Sequence, residues 1–155
     1  MSNKVPTILI VDDSLSNIDF LNSLLQGEGF SVLIATNAYD AINIAKTQKP
    51  DLILLDIVMP DMSGFEICEI LKKNVETLEI PVIFITAQDD YDFVSKGFNV
   101  GAVDYIHKPF NVNELLARVK THLELKFKTD ELIQLNQLLE ERVRLRTLEL
   151  ENANK

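Results

Sequence analysis

The sequence has 155 residues, of which 46% are apolar and 25% are charged, and its formal net charge at pH 7 is −9. This length and apolar content suit one ordinary domain with a hydrophobic core and exclude a wholly disordered chain. Most of the negative charge lies in the first 127 residues, and a surface of that sign repels the phosphates of nucleic acids.

Five short apolar runs are separated by helix-sized stretches. The runs are Thr7–Val11, Ser31–Ala35, Leu52–Leu55, Val82–Ile85 and Tyr105–Ile106. Those around Ile10, Leu54 and Ile83 are continuous rather than alternating, which is typical of strands covered on both faces of a parallel sheet. No run approaches the roughly 20 apolar residues that span a bilayer, and the first residues lack the pattern of a signal peptide. We therefore expect a cytoplasmic protein.

Helices are predicted between these strands, because apolar residues recur there at spacings of three and four. The stretches are Leu15–Leu25, Ala38–Ala45, Phe65–Leu71 and Phe93–Val100. Asn111, three residues before Glu114, predicts the cap of a fifth helix. The single cysteine, Cys68, falls in the third helix, where we predict a half-buried or fully buried residue and no internal disulfide. Five strand–helix repeats predict a doubly wound parallel sheet, which binds ligands at the carboxyl ends of its strands.

Polar side chains stand at the predicted carboxyl ends of four strands. They are Asp12 and Asp13 after the first strand, Asp56 after the third, Thr86 after the fourth and Lys108 after the fifth. Three converging carboxylates repel one another unless a cation joins them, and oxygen ligands without histidine or thiol favour Mg²⁺. This set predicts phosphoryl transfer, since a metal held by carboxylates neutralises charge while a carboxylate oxygen attacks phosphorus.

Each of these side chains has a predicted role. Asp56 is the best placed nucleophile, because it ends a central strand between the acidic pair and Thr86. Lys108 is predicted to balance the phosphoryl charge as a mobile cation, and Thr86 to donate a hydroxyl hydrogen bond to a phosphoryl oxygen. Any one of these residues alone is more often a turn or a helix cap. Their convergence on one edge is what favours a functional site.

Four segments resemble the receiver domain of two-component response regulators, over roughly residues 5 to 125. The segments are Ile8–Asp13, Asp56–Gly64, Ile85–Ala87 and Gly101–Pro109. The resemblance implies a flavodoxin-like sheet of strand order 2-1-3-4-5. It also implies that Asp56 is phosphorylated by a histidine kinase or a phosphotransfer protein.

The resemblance further implies how the metal is held. Mg²⁺ would be bound by Asp13, Asp56 and the backbone carbonyl of Val58, with Asp12 acting through water. A cis peptide bond is implied before Pro109, where such a bond costs little free energy.

A conformational switch is also implied by the resemblance. Thr86 would move toward the phosphoryl group, and Tyr105 would turn inward to fill the space. This would alter the surface formed by the fourth helix, the fifth strand and the fifth helix, where receivers meet their partners. Val58 and Gln88 occupy the positions that flank the approach path of water in this family, and Gln88 has a side chain that can orient a water molecule.

The last 30 residues, 126–155, predict a helical segment beyond the receiver domain. No proline or glycine occurs after Asn111, so the fifth helix is predicted to continue. Leu125, Leu132 and Leu139 recur every seven residues, which indicates a coiled-coil seam that shifts beyond Leu139. The segment resembles signalling linkers that join receivers to histidine-kinase, diguanylate-cyclase or phosphodiesterase outputs. We therefore expect a parallel homodimer and an output domain outside this chain; the alternative is an amphipathic tail packed on its own domain.

Other protein classes share parts of this pattern. A phosphatase of the haloacid dehalogenase type needs a second aspartate two residues after its nucleophile, where this sequence has Val58. In a flavodoxin that binds FMN, Asp12 and Asp13 would repel the cofactor's phosphate. His122 lacks the acidic residue that directly follows a phosphoacceptor histidine. A degenerate receiver, which acts as an interaction module without phosphorylation, remains the alternative. We expect intrinsic phosphorylation and dephosphorylation chemistry only, and no turnover enzyme.

Overall fold

The computed structural model of the protein describes residues 5–87 and 91–153, and these alternate between strands and helices. The strands are β1 (Thr7–Val11), β2 (Ser31–Ala35), β3 (Leu52–Asp56), β4 (Val82–Thr86) and β5 (Asp104–His107). The helices are α1 (Leu15–Gly27), α2 (Ala38–Gln48), α3 (Gly64–Lys72), α4 (Tyr91–Asn99) and α5 (Val112–Ala153). The predicted alternation of strand and helix is confirmed.

The five strands form one parallel sheet in the order β2-β1-β3-β4-β5. Every residue of β3 and β4 is buried, whereas β2 lies at an edge and exposes part of its surface. Leu9 and Ile53 belong to a buried cluster that includes residues of α2 and α3, and the alternate residues Ile10 and Leu54 are buried as well. Both faces of the sheet are therefore covered, as the continuous apolar runs predict.

Four helices begin at a side chain that accepts a backbone N–H group of the first turn. These side chains are Ser14, Asn37, Ser63 and Asn111. The cap predicted at Asn111 is confirmed, because its Oδ1 atom accepts the N–H of Glu114 at 3.1 Å. Such caps fix where each chain segment leaves the sheet edge and enters its helix.

The buried face of α3 contains Cys68, whose side chain has no exposed surface. Burial raises the pKa of this thiol to about 11, and Sγ lies 3.6 Å from the carbonyl oxygen of Val100. The prediction of a buried cysteine is confirmed.

One turn further along α3, the ammonium of Lys72 donates to the carbonyl oxygens of Leu78 at 3.1 Å and Ile80 at 2.5 Å. These two hydrogen bonds connect α3 to the segment that leads into β4.

The chain divides into two compact units, one ending at Leu123 and one beginning at Glu124. In the first unit, α5 buries Leu115, Val119 and Leu123. In the second unit no described residue is buried, and large apolar side chains such as Leu132 are exposed. None of the described helices combines the length and apolarity that a bilayer-crossing helix requires.

Candidate functional site

Three aspartates meet at the carboxyl ends of β1 and β3. Asp12, Asp13 and Asp56 each place one carboxylate oxygen within 4.8 Å of the others. The two strands are neighbours, with Val11 beside Leu55, so the residues that follow emerge side by side at the point where strand order reverses. Asp12 and Asp56 are buried, whereas Asp13 is exposed. The acidic residues proposed from the sequence are therefore brought together.

Asp12 is held by the first turn of α1. Its Oδ1 atom accepts the backbone N–H of Ser14 at 2.9 Å, and its Oδ2 atom accepts the amide of Asn17 at 3.3 Å. The first contact is a common turn of aspartate onto its own backbone, and the sequence order Asp12-x-Ser14 is compatible with it. The contact of Asn17 was not predicted, because it depends on the angle at which α1 leaves the sheet.

Lys108 reaches this cluster from the end of β5. Its Nζ atom lies 3.2 Å from Asp56 Oδ2 and 3.8 Å from Asp12 Oδ2. Its backbone N–H donates to the carbonyl oxygen of Thr86 at 2.8 Å, which joins the ends of β4 and β5. The predicted cis peptide between Lys108 and Pro109 is confirmed.

The protonation of Asp56 is perturbed by its surroundings. Burial raises its pKa above the ordinary value of 3.8, and the negative charge of Asp12 raises it further. The positive charge of Lys108 and the N–H of Val58, which donates to Asp56 Oδ1 at 3.2 Å, act in the opposite direction. The net direction is upward, as expected for carboxylates that are crowded in a partly buried site.

This shift predicts how stability depends on pH. Because the pKa of Asp56 is higher in the folded than in the unfolded state, the folded state binds the proton more tightly. Stability contributed by Asp56 is thus greatest below the unfolded pKa, decreases as pH rises through the interval up to the folded pKa, and then stays low. Asp56→Asn is expected to flatten this decrease and to raise the unfolding temperature near pH 7.

Thermal unfolding with EDTA, between about pH 4 and about pH 7, measures this effect. Asp19→Asn is the matched control, because Asp19 is an exposed aspartate on α1 and its replacement removes the same formal charge. An Asp56→Asn protein that is less stable than wild type throughout this range would contradict the electrostatic account.

Thr86 and Tyr105 lie on neighbouring strands and border the same small cavity. Thr86 is only 2% exposed, whereas Tyr105 is half-buried. The cavity has a volume of about 10 Å³ and is also lined by residues of α4, including Phe98. A space of this size holds about one water molecule. Gln88, one of the residues placed on the path of water, lies outside the described residues.

Gly64 begins α3 where this helix comes closest to the end of β3. Its N–H donates to the carbonyl oxygen of Ile57 at 2.8 Å. A Cβ atom at Gly64 would collide with the carbonyl oxygen of Asp56 and would lie 2.8 Å from the Cα atom of Ile57. The sequence shows this glycine within a motif, and the structure gives the reason for it. Only a residue without a side chain permits this approach.

Comparison with known proteins gives a family match over most of the chain. The family model described as "Response regulator receiver domain" matches residues 8–120. "Probable cyclic di-GMP phosphodiesterase" of Vibrio cholerae is 43% identical over 145 residues, which are 94% of this chain and 33% of that protein. "Transcriptional regulatory protein YvrH" of Bacillus subtilis is 44% identical over 127 residues, which are 81% of this chain and 52% of that protein. The chain thus spans about a third to a half of the length of these relatives.

A solved structure has the same fold. The response regulator receiver domain protein (CheY-like) from Methanospirillum hungatei JF-1 aligns with a TM-score of 0.76 at 32% identity. The alignment covers 81% of this chain and 99% of that one. The similarity therefore extends over nearly the whole of the solved domain.

Proposed function

The chain belongs to the response regulator receiver family, and on this premise we propose that it is a phosphoacceptor module whose Asp56 receives a phosphoryl group. The observation that carries the proposal is the meeting of three aspartates with Lys108 at one edge of the sheet. We propose that the phosphoryl donor is a cognate histidine kinase or a phosphotransfer protein. The chain itself acts as a phosphoacceptor and not as a turnover enzyme.

Mg²⁺ fits the donors of this site. The candidate ligands are all oxygen atoms, and burial together with Asp12 raises the pKa of Asp56, so a divalent cation there relieves the repulsion. We propose that Asp13, Asp56 and the backbone carbonyl of Val58 hold the ion, with Asp12 acting through water. When bound, Mg²⁺ supplies positive charge against the phosphoryl oxygens.

The side chains of the site have complementary roles in the transfer. A carboxylate oxygen of Asp56 forms a bond to phosphorus as the bond from phosphorus to the donor's imidazole nitrogen breaks. The electron pair of the broken bond leaves with the imidazole. Lys108, whose Nζ atom is already 3.2 Å from Asp56, balances the transferred negative charge, and the hydroxyl of Thr86 donates to a phosphoryl oxygen.

The conformational switch is proposed to pass through Thr86 and Tyr105. Both side chains border the same small cavity. This supports the proposal, because a movement of one side chain changes the space that is open to the other. A change in Tyr105 would reach the surface of α4, β5 and the first turns of α5, where we propose that partners bind.

The segment 126–155 is proposed to be a coiled-coil linker in a parallel homodimer. Leu125, directly before the segment, and Leu132 and Leu139 within it are exposed at the seven-residue spacing of a coiled-coil seam. Since the alignment with the phosphodiesterase relative covers 94% of this chain but only 33% of that protein, a phosphodiesterase is one candidate output, beside a histidine kinase or a diguanylate cyclase. Sedimentation equilibrium tests the dimer, and a monomer at high protein concentration would contradict it.

A cytoplasmic location stays a prediction.

Phosphorylation is tested by incubating the full chain with acetyl phosphate and Mg²⁺ and weighing the intact protein. We expect a labile adduct of about 80 Da, one phosphoryl group, on the wild type and none on Asp56→Asn. Asp19→Asn, at an exposed position on α1, serves as the control and keeps the adduct. A wild-type protein that gains no mass would instead support the degenerate receiver, which acts without phosphorylation.

A further inference from the structure

Asp104, the first residue of β5, contacts two side chains of α5. The Asp104 carboxylate accepts a hydrogen bond from Nη1 of Arg118, and its other oxygen lies 3.0 Å from Nε2 of His122. Arg118 also donates from Nε to Glu114 at 3.1 Å. The Asp104 carboxylate also accepts the backbone N–H of Tyr105 at 2.9 Å. These contacts therefore join α5 to the strand that carries Tyr105.

The contacts of Asp104 with Arg118 and His122 are better shielded from solvent than an ordinary surface ion pair, whereas the side chain of Glu114 is 46% exposed. The side chains of Asp104 and His122 are each 16% exposed, and that of Arg118 is 33% exposed. Exposed pairs contribute little to stability, whereas shielding and several simultaneous contacts make a network stronger. Arg118 is thus fixed on one side by Asp104 and on the other by Glu114.

The guanidinium of Arg118 also covers the ring of Tyr105. Its Cζ atom lies 5.7 Å from the ring centroid, within the range of a cation–π interaction. Phe98 and His107 contact the same ring edge-on, with centroids 6.0 Å and 5.1 Å away. The position of Tyr105 beside the cavity it shares with Thr86 is therefore supported by Arg118.

We propose that Arg118, held in place by Asp104 and Glu114, is a positioning residue that keeps Tyr105 in the conformation of the unphosphorylated protein. The inference rests on the proposed function, because it assumes that Tyr105 moves when Asp56 is phosphorylated. Its consequence is that Arg118 sets how readily the protein adopts the phosphorylated conformation.

Arginine suits this position for a geometric reason. Its planar guanidinium offers several donors in one plane and stacks on an aromatic ring, whereas the ammonium of lysine is a compact, strongly hydrated charge. Arg118→Lys therefore retains the charge of the side chain and removes the planar group that can bind Asp104 and Glu114 while it covers Tyr105. This variant separates the positioning role from net charge.

A residue that stabilises one of two conformations weakens the binding of any ligand that prefers the other conformation. Beryllium fluoride, which mimics a phosphoryl group on a carboxylate, is a suitable ligand in the presence of saturating Mg²⁺. Loss of one cation–π interaction is expected to tighten its binding about two- to fivefold.

The experiment measures the dissociation constant of beryllium fluoride for the full chain and the NMR signals of the Tyr105 ring. Arg118→Met is expected to bind two to five times more tightly, about the factor given by one cation–π contact. Arg118→Lys is expected to bind more tightly than the wild type by a smaller factor, because its ammonium can still lie over the ring. Without ligand, their Tyr105 signals are expected to shift toward those of the bound wild type. Lys120→Met is the matched control, because Lys120 is on the same helix and pairs with Glu28 at 3.0 Å.

A double-mutant cycle with Tyr105→Leu completes the test, since the effect of Arg118 must disappear when the ring is absent. Wild-type affinity in both Arg118 variants, or an undiminished effect in the Tyr105→Leu background, would overturn the positioning role and leave phosphorylation of Asp56 intact. A wild type that fails to bind beryllium fluoride would overturn the proposed function itself, and this inference with it.

Discussion

Replacement of Lys108 by methionine is expected to slow the phosphorylation of Asp56 by acetyl phosphate about 100-fold, the effect of removing one charge-stabilising group from a transition state. The Nζ atom of Lys108 lies 3.2 Å from Asp56 Oδ2, so it is placed to balance charge that moves onto this carboxylate. The rate is measured by intact mass at short times with saturating Mg²⁺.

The same substitution is expected to tighten Mg²⁺ binding. Lys108 is close to both Asp56 and Asp12, and its removal leaves three carboxylates without this cation. Slower phosphorylation with tighter Mg²⁺ binding is a combination that general unfolding does not produce. Lys120→Met, on the outer surface of α5, controls for the loss of a lysine. Unchanged phosphorylation in Lys108→Met would remove the catalytic role given to this residue.

The substitution Gly64→Ala is expected to lower the free energy of unfolding by about 3 kcal/mol, the upper part of the range for overpacking. The added Cβ atom would meet the backbone of Asp56 and would lie 2.8 Å from the Cα atom of Ile57. Backbone cannot give way as a flexible side chain does. Urea denaturation measures the loss, and the displaced backbone of Asp56 is expected to slow its phosphorylation as well.

Gly27→Ala is the matched control for this substitution. Gly27 is the last residue of α1, and a Cβ atom there would have no heavy atom within 4 Å beyond its own helix. Alanine has the higher helix propensity, so a gain of up to about 1 kcal/mol is expected. If Gly64→Ala proved as stable as Gly27→Ala, the close approach of α3 to β3 would not be the reason for the glycine.

Most of the fold was predictable from the sequence, because a strand that is buried on both faces of a sheet has a continuous run of apolar residues. Continuous apolar runs such as that around Ile83 are found in the central strands, and the edge strand β2 is less buried. The cap at Asn111 was predictable for a similar reason, since it depends on residues only three positions apart. Such features depend only on residues that are close in the sequence, so they can be predicted without knowledge of the tertiary structure.

The site was predictable only in part. The meeting of Asp12, Asp13 and Asp56 follows from the rule that parallel strands present their carboxyl ends at one edge. The partners of Arg118 do not follow from any such rule, because its contact with Asp104 depends on the rotation of α5 against β5. The contact of Lys72 with two carbonyl groups before β4 also depends on the path of a loop. Residue type alone does not indicate these partners.

The chain contains a single cysteine, Cys68, and this residue is inaccessible and poorly ionised. Thiolate is the form that reacts with maleimides and iodoacetamides, so the native thiol is expected to resist these reagents near neutral pH. A cysteine engineered on the surface can therefore be modified selectively while Cys68 stays in place. Fluorophores or spin labels can then report distances in an otherwise unaltered protein.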